Sequence, residues 1–302
     1  MPYHNNGPLL VAGASGQLGR RVIHHLLSSQ GVPANQLIAV TRKPDALADL
    51  AKQGVQVRQG DFDDATSLRQ AFAGARRVLV ISTDKVDVPG AREKQHANAV
   101  GAAAAAGVRH VVYTSMYGCD PGCPVTVLAP SHYATEQALA KSGMGYTILR
   151  HTWYAELLLG SIPQAAKTGQ LVSAGNDQGV NYVTREDCAR ADAAALAADA
   201  SGGAKYDITG PGTVNATQLA ALAHELSGKP VQAVLVTPEQ YEAGLKAAGL
   251  PPPVAALLTS IEVNTRGGAT AKFSDAVQTL TGKPAQSVRD FLVANRAVMG
   301  FA

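Results

Sequence analysis

Through the first half of this 302-residue chain, short apolar runs alternate with longer stretches in which apolar residues recur every three or four positions. The runs lie near Leu9–Ala12, Leu37–Val40, Val55–Arg58, Val78–Ser82, Val111–Ser115 and Tyr146–Leu149. They are nearly continuously apolar, as a strand is when helices cover both of its faces. Between them the longer period predicts helices beginning near Gln17, Pro44, Ala65, Pro89 and Ser131. Pro44 suits a first helical turn and Ser131 an N-cap. Alternation of this kind predicts an α/β fold with a doubly wound parallel sheet, whose ligand sits at the carboxyl ends of the strands.

After Arg150 the regularity loosens. Val180–Leu196 reads as a short strand followed by a helix capped by Thr184, with Glu186 and Asp187 in its first turn. Lys205–Thr209 reads as a strand ended by Gly210-Pro211-Gly212, and Asn215 to Ser227 as an amphipathic helix. From Val231 onward the pattern is helical, broken at Pro251-Pro252-Pro253. The expected division is a nucleotide-binding domain over 7–150. A smaller, mainly helical substrate lobe over 151–302 is expected to be woven partly back into the main sheet.

The first apolar run ends in Gly13-Ala14-Ser15-Gly16-Gln17-Leu18-Gly19 and opens directly into a helix. Gly13 permits the sharp turn, Gly16 lets backbone N–H groups approach a pyrophosphate, and Gly19 lets the helix pack close on the sheet. The second run ends in Thr41-Arg42-Lys43, where an NAD site would carry an acid for the ribose 2′-hydroxyl. Two cations suit a 2′-phosphate instead, a charge-assisted contact worth ~1.5–3 kcal/mol, and so point to NADP(H). Solvated surface charge is the other reading of the pair. Asp61 and Phe62, after the third run, are placed to meet the adenine, and Ser82 and Thr83 to flank its ribose.

Composition narrows the classes further. A formal charge of +3 with no basic stripe argues against nucleic acid. No apolar run reaches membrane-spanning length, and the opening Met1–Gly7 lacks a charged-then-apolar secretion pattern. Three cysteines suit reduced thiols in a cytoplasm, and the spacing of Cys119 and Cys123 is not that of a metal site. A homodimer is open to such a chain.

These segments together resemble the NmrA-like branch of the atypical short-chain dehydrogenase/reductases, particularly its bacterial quinone oxidoreductases and triphenylmethane-dye reductases. The resemblance runs through Gly13–Gly19, Val40–Lys43, Gly54–Asp63 and Gln95-His96-Ala97-Asn98. It continues in Val111-Val112-Tyr113-Thr114-Ser115, His132-Tyr133-Ala134-Thr135-Glu136, Trp153-Tyr154 and Leu280-Thr281-Gly282-Lys283-Pro284. It implies a Rossmann domain whose cofactor contacts are Gly13, Ser15, Gly16, Gln17, Leu18, Arg42, Lys43, Asp61, Phe62, Ser82, Thr83 and Ser115. It also implies a substrate pocket drawn from Tyr117, Tyr133, Glu136, His151, Trp153 and Tyr154.

Ordinary short-chain reductases carry Tyr-x-x-x-Lys, in which the cation lowers the tyrosine pKa for proton donation. The resemblance aligns His132 and Glu136 with those positions, one helical turn apart and able to meet in the cleft. His132 is then a modest proton donor or a group orienting the nicotinamide ribose. A simple ketone would give a strongly basic alkoxide and needs the missing acid. A quinone or conjugated dye gives a weakly basic or neutral product, and alignment with the cofactor alone supplies ~7–11 kcal/mol. The expected activity is therefore NADPH-dependent reduction of a quinone-like acceptor. A non-catalytic NAD(P)-sensing regulator is the alternative, and an epimerase, which would keep the Tyr/Lys pair, is the weaker third.

Overall fold

The computed structural model describes residues 7–301, so the opening segment considered for a targeting signal lies largely outside the described residues. Its main sheet holds seven parallel strands in the order β3-β2-β1-β4-β5-β6-β8. In chain order these are β1 (Leu9–Ala12), β2 (Leu37–Thr41), β3 (Gln56–Gln59), β4 (Arg77–Val80), β5 (His110–Met116), β6 (Gly145–His151) and β8 (Gly203–Ile208). A separate parallel pair joins β7 (Gln170–Ser173) to β9 (Gln232–Leu235). The helices between the first six strands are α1 (Gln17–Ser28), α2 (Ala48–Lys52), α3 (Ala65–Phe72), α4 (Ala91–Ala105) and α5 (Leu128–Lys141). The second half adds α6 (Leu158–Thr168), α7 (Arg185–Ala197), α8 (Ala216–Ser227), α9 (Pro238–Ala247), α10 (Pro252–Arg266), α11 (Ala276–Thr281) and α12 (Val288–Ala294).

Side chains on a strand alternate between faces, and the cores follow that period. Leu9 and Val11 pack with α1, α7 and α11 on one face, while Leu10 and Ala12 pack with α3, α4 and α5 on the other. Two layers of helix on a parallel sheet account for the unbroken apolar runs. A third core joins α6, α8 and α12 through Ile162, Ala223 and Phe291.

Three expectations shift. The segment at Pro44 forms a short 3₁₀ turn, Pro44–Leu47, before α2. Helix α5 begins at Leu128, not Ser131, because Val127 turns the chain with φ +31° and Ser131 Oγ donates back to Leu128 O. The pattern expected to be helical from Val231 opens instead with a strand, Gln232–Leu235, which pairs with Gln170–Ser173, and both strands carry only half-buried and exposed residues.

At the amino ends of the strands, Arg77 of β4 is buried, 3 % exposed. Its guanidinium donates to Leu196 O, Ala195 O and Ala200 O, at 2.9, 3.1 and 2.9 Å. These carbonyls lie at and just past the end of α7, which has no further turn to satisfy them. Burial lowers the Arg77 pKa to about 10. Arg77 thus ties a helix of the second half to a strand of the first.

Candidate active site

A cavity of about 910 Å³ runs along the carboxyl ends of the strands. Its wall includes Gly13, Ser15, Gly16, Gln17 and Leu18 after β1, Arg42 after β2, and Asp61 and Phe62 after β3. It continues over Ser82 and Thr83 after β4, Ser115 of β5, His132 of α5, and His151, Trp153 and Tyr154 at and after the end of β6. Lys43, Tyr117, Tyr133 and Glu136 are not on that wall. Lys43 is exposed, and Tyr133 packs on a small core of Met116, Cys119, Val125 and Ala129.

The glycine turn is built as its sequence requires. Gly13 has φ +90°, and the N–H groups of Gly13 and Ala14 donate to Val40 O at 3.3 and 3.1 Å. A Cβ on Gly19 would lie 2.3 Å from Gly13 O and 2.8 Å from Ala14 Cα, so any side chain there would push α1 off the turn. The N-cap, Gly16, offers no side-chain bond, and the first turn of α1 holds no acid. Its N–H groups and dipole are left to an anion. Thr41 Oγ1 donates to Ser15 Oγ at 2.9 Å, fastening the end of β2 to this turn, and exposed Arg42 follows. A diphosphate at α1 and a 2′-phosphate at Arg42 fit these residues. Asp61 is partly committed, since its Oδ1 accepts from Asp63 N at 3.0 Å.

At the β5–β6 end the wall is polar and its hydrogens can be assigned. Arg92 of α4 is 3 % exposed; its Nε donates to Ser131 Oγ and its Nη2 to His132 Nε2, both at 3.0 Å. A guanidinium only donates, so His132 Nε2 is an acceptor and the proton sits on Nδ1, which donates to Tyr113 Oη at 2.8 Å. His132 is a neutral imidazole: burial, and then the charge of Arg92 beside it, hold its pKa well below the usual histidine value. His96 is neutral for the same first reason, its pKa lowered to about 3. It accepts from Thr83 N at 3.1 Å and faces Thr135 Oγ1 at 3.0 Å.

The expectation that Glu136 meets His132 in the cleft is corrected. Glu136 is 2 % exposed and turned into the protein. It accepts from Arg150 Nε and Nη2 at 2.8 Å each and from Ser115 Oγ at 2.7 Å, and pairs with Lys205 Nζ at 2.8 Å. Cys119 Sγ adds a weak contact at 3.4 Å, and burial pushes that thiol up to about 12. The helix period put residues 132 and 136 on one face. Cations arriving on β6 and β8 decided which way the carboxylate points.

His151, expected at the substrate, reaches the wall with both ring nitrogens engaged: Nδ1 to Tyr154 Oη at 3.1 Å and Nε2 to Asp192 Oδ1 at 3.0 Å. Asp192 on α7 is fully buried and Arg185 lies over the Tyr154 ring, 4.8 Å from its centroid. Sequence reasoning missed Arg92, Gln95, Met116, Leu128 and Arg185, all on the wall. A signal existed for the first two. Arg92, Gln95, His96 and Ala99 share one helical stripe, which is buried, and a polar start to such a stripe marks a helix whose first turn faces a site.

The family model described as NAD(P)H-binding matches residues 13–199, the span from the glycine turn to just past α7. The chain belongs to the NAD(P)H-binding family. This NAD(P)H-binding protein is 36% identical over 282 residues to quinone oxidoreductase 2 of Escherichia coli K12, covering 93% of this chain and 96% of that one. Its fold matches the crystal structure of an E. coli NADPH-dependent quinone oxidoreductase complexed with NADPH. The TM-score is 0.89 at 35% identity, over 95% of this chain and 99% of that one. It also matches Citrobacter sp. triphenylmethane reductase complexed with NADP(H), with a TM-score of 0.85 at 33% identity over 95% and 99% of the two chains. The cofactor is NADP(H), and the protein is an NAD(P)H-dependent oxidoreductase. Among the described residues no helix is long and apolar enough to cross a membrane.

Proposed function

We infer that this chain is an NADPH-dependent reductase of quinones and similar electron-poor conjugated acceptors. The observation that carries the reading is position 132. Where ordinary short-chain reductases hold a tyrosine acid, this protein holds a neutral histidine with both nitrogens bonded inside the wall. Without a fixed acid, the substrate must be one whose reduced form tolerates protonation by solvent. The relatives whose names specify quinone or triphenylmethane substrates have that chemistry.

Bound NADPH supplies hydride; the protein supplies alignment. In this reading Gly13, Ser15, Gly16, Gln17 and Leu18 hold the diphosphate and Arg42 the 2′-phosphate. Asp61, Phe62, Ser82 and Thr83 hold the adenosine, while His151, Trp153 and Tyr154 border a flat acceptor. Residues 7–150 carry the cofactor, and 151–302 cover the acceptor and return β8 to the sheet. The working compartment is the cytoplasm. The test is loss of NADPH absorbance on mixing with p-benzoquinone, with NADH alongside. Turnover favouring NADPH supports the reading; tight binding of both redox forms of the cofactor without turnover replaces it with the sensing role.

A further inference from the structure

Arg92 is a buried cation with no carboxylate on it. Among the described residues its protein partners are Ser131 Oγ at Nε and neutral His132 at Nη2. Asp84 and Glu93 act on its charge from beyond ion-pair distance. Nη1 makes no hydrogen bond to the protein and is not among the sealed, partnerless buried atoms, and the residue lies on the cavity wall. Leaving a charge so buried with an unspent donor is costly unless something anionic or strongly polar meets it during the working cycle.

Sheet order tells which part of the cavity that is. The strands run β3-β2-β1-β4-β5-β6, with the phosphate-binding turn after β1 and Arg42 after β2. Arg92 is pinned on the first turns of α5, the helix that follows β5, and α5 also contributes Leu128 to the wall. Helix α4 also reaches the adenosine side, where Gln95 Nε2 donates to Asp63 Oδ1 at 3.0 Å and Thr83 N donates to His96, but the Arg92 guanidinium itself is held from α5, on the β5 side of the cavity. His132 has a clear role in this arrangement. With its proton on Nδ1, its Nε2 lone pair aims one arm of the fork, and Ser131 aims another.

We propose that Arg92 is the electrophilic anchor of the reaction, with Nη1 donating to the carbonyl oxygen of the acceptor on which negative charge develops. This rests on the reductase reading above. Hydride leaves the dihydronicotinamide carbon with its bonding electron pair, giving the oxidised cofactor. The quinone gains two electrons and one proton, and becomes a hydroquinone monoanion. One proton from solvent then completes the hydroquinone. Arg92 keeps its own proton throughout; a guanidinium is too weak an acid to give it up, so it stabilises charge without acid catalysis.

The test compares full-length wild type with Arg92→Met, Arg92→Lys and Arg92→Ala, using NADPH and a series of substituted p-benzoquinones. NADPH binding is read from the fluorescence of Trp153, the single tryptophan. Arg92→Met should bind NADPH as wild type does and lose about 10²–10³-fold in kcat, the loss typical of removing one oxyanion donor. Arg92→Lys should retain part of the rate, and free guanidinium ion should restore part of it to Arg92→Ala. Should Arg92→Met fold poorly, Arg92→Lys decides alone: its rates should fall more steeply than wild type as the hydroquinone product becomes less acidic. Weakened NADPH binding at unchanged kcat, or the same slope in both proteins, overturns the proposal while wild-type turnover preserves the reductase reading. A wild type that binds NADPH and reduces no quinone overturns both.

Discussion

The two ends of the main sheet each bury an arginine to the same degree, and the pair separates scaffold from chemistry. Arg77, at the amino ends of the strands, donates to three carbonyls at and just past the end of α7. Arg92, at the carboxyl ends, gives its donors to one hydroxyl and one neutral imidazole, and on this residue of the cavity wall Nη1 makes no hydrogen bond to the protein. Burial lowers both pKa values, so neither exposure nor titration tells them apart. What differs is how completely the fork is used. An arginine spent on backbone oxygen holds the fold, whereas one with a donor in reserve is built for something that arrives later.

Arg150 is a third case, a buried cation matched by carboxylates, and it sets the largest expected effect. Glu136→Ala should cost about 3–5 kcal/mol in urea unfolding, because Arg150 and Lys205 lose their shared carboxylate. Burial pushes the Glu136 carboxyl up, but the bonds from Arg150, Lys205 and Ser115 carry it below the usual glutamate value. Its contribution is therefore present above pH ~4.5 and lost as pH falls through the lower folded value. The variant's stability should change less with acid than that of wild type.

Next comes Arg77→Met, which should destabilise by about 3 kcal/mol by leaving carbonyls unmatched, with kcat per folded molecule unchanged. A fall in kcat without a fall in stability would erase the contrast between the two arginines. Arg42→Ala should weaken NADPH by about 10- to 100-fold, or ~1.5–3 kcal/mol, while sparing NADH. Equal loss of both cofactors would remove the 2′-phosphate from Arg42. The smallest effect belongs to His132→Ala, expected to slow quinone reduction only a few-fold, well short of the ~10²–10⁴-fold cost of losing an acid–base group. His132→Asn, which keeps an acceptor for Arg92, should lose less than His132→Ala.

Much of this molecule is legible in its residue order, for local reasons. The runs of β1, β2, β4 and β5 are covered on both faces, so each announces itself as an unbroken apolar stretch. Gly13 and Gly19 are fixed by φ and by backbone clearance, constraints that act within a few residues. The features that escaped are set by partners far along the chain. Glu136 turns away from the cleft because Arg150 and Lys205 meet it from β6 and β8. Strands β7 and β9 exist through each other, across more than fifty residues, and a run as short as Ala233-Val234-Leu235 does not by itself tell strand from helix. Arg92 was half visible, since its helical stripe is polar at one end, but its pinning by Ser131 and His132 belongs to the packing of α4 on α5.

The pairing of β6 with β8 has a consequence for how the protein is made. Residues 146–151 lie in register with residues 203–208, so the outermost strand of the nucleotide-binding sheet is encoded more than fifty residues downstream. A nascent chain that has delivered only its first 150 residues presents β6 as an unpaired edge, an open template for another chain. During that interval the emerging polypeptide depends on whatever shields such edges, until translation reaches β8. For the same reason a gene cut after β6 should yield a sticky fragment, and a cut within the loops beyond Ile208 a better-behaved one.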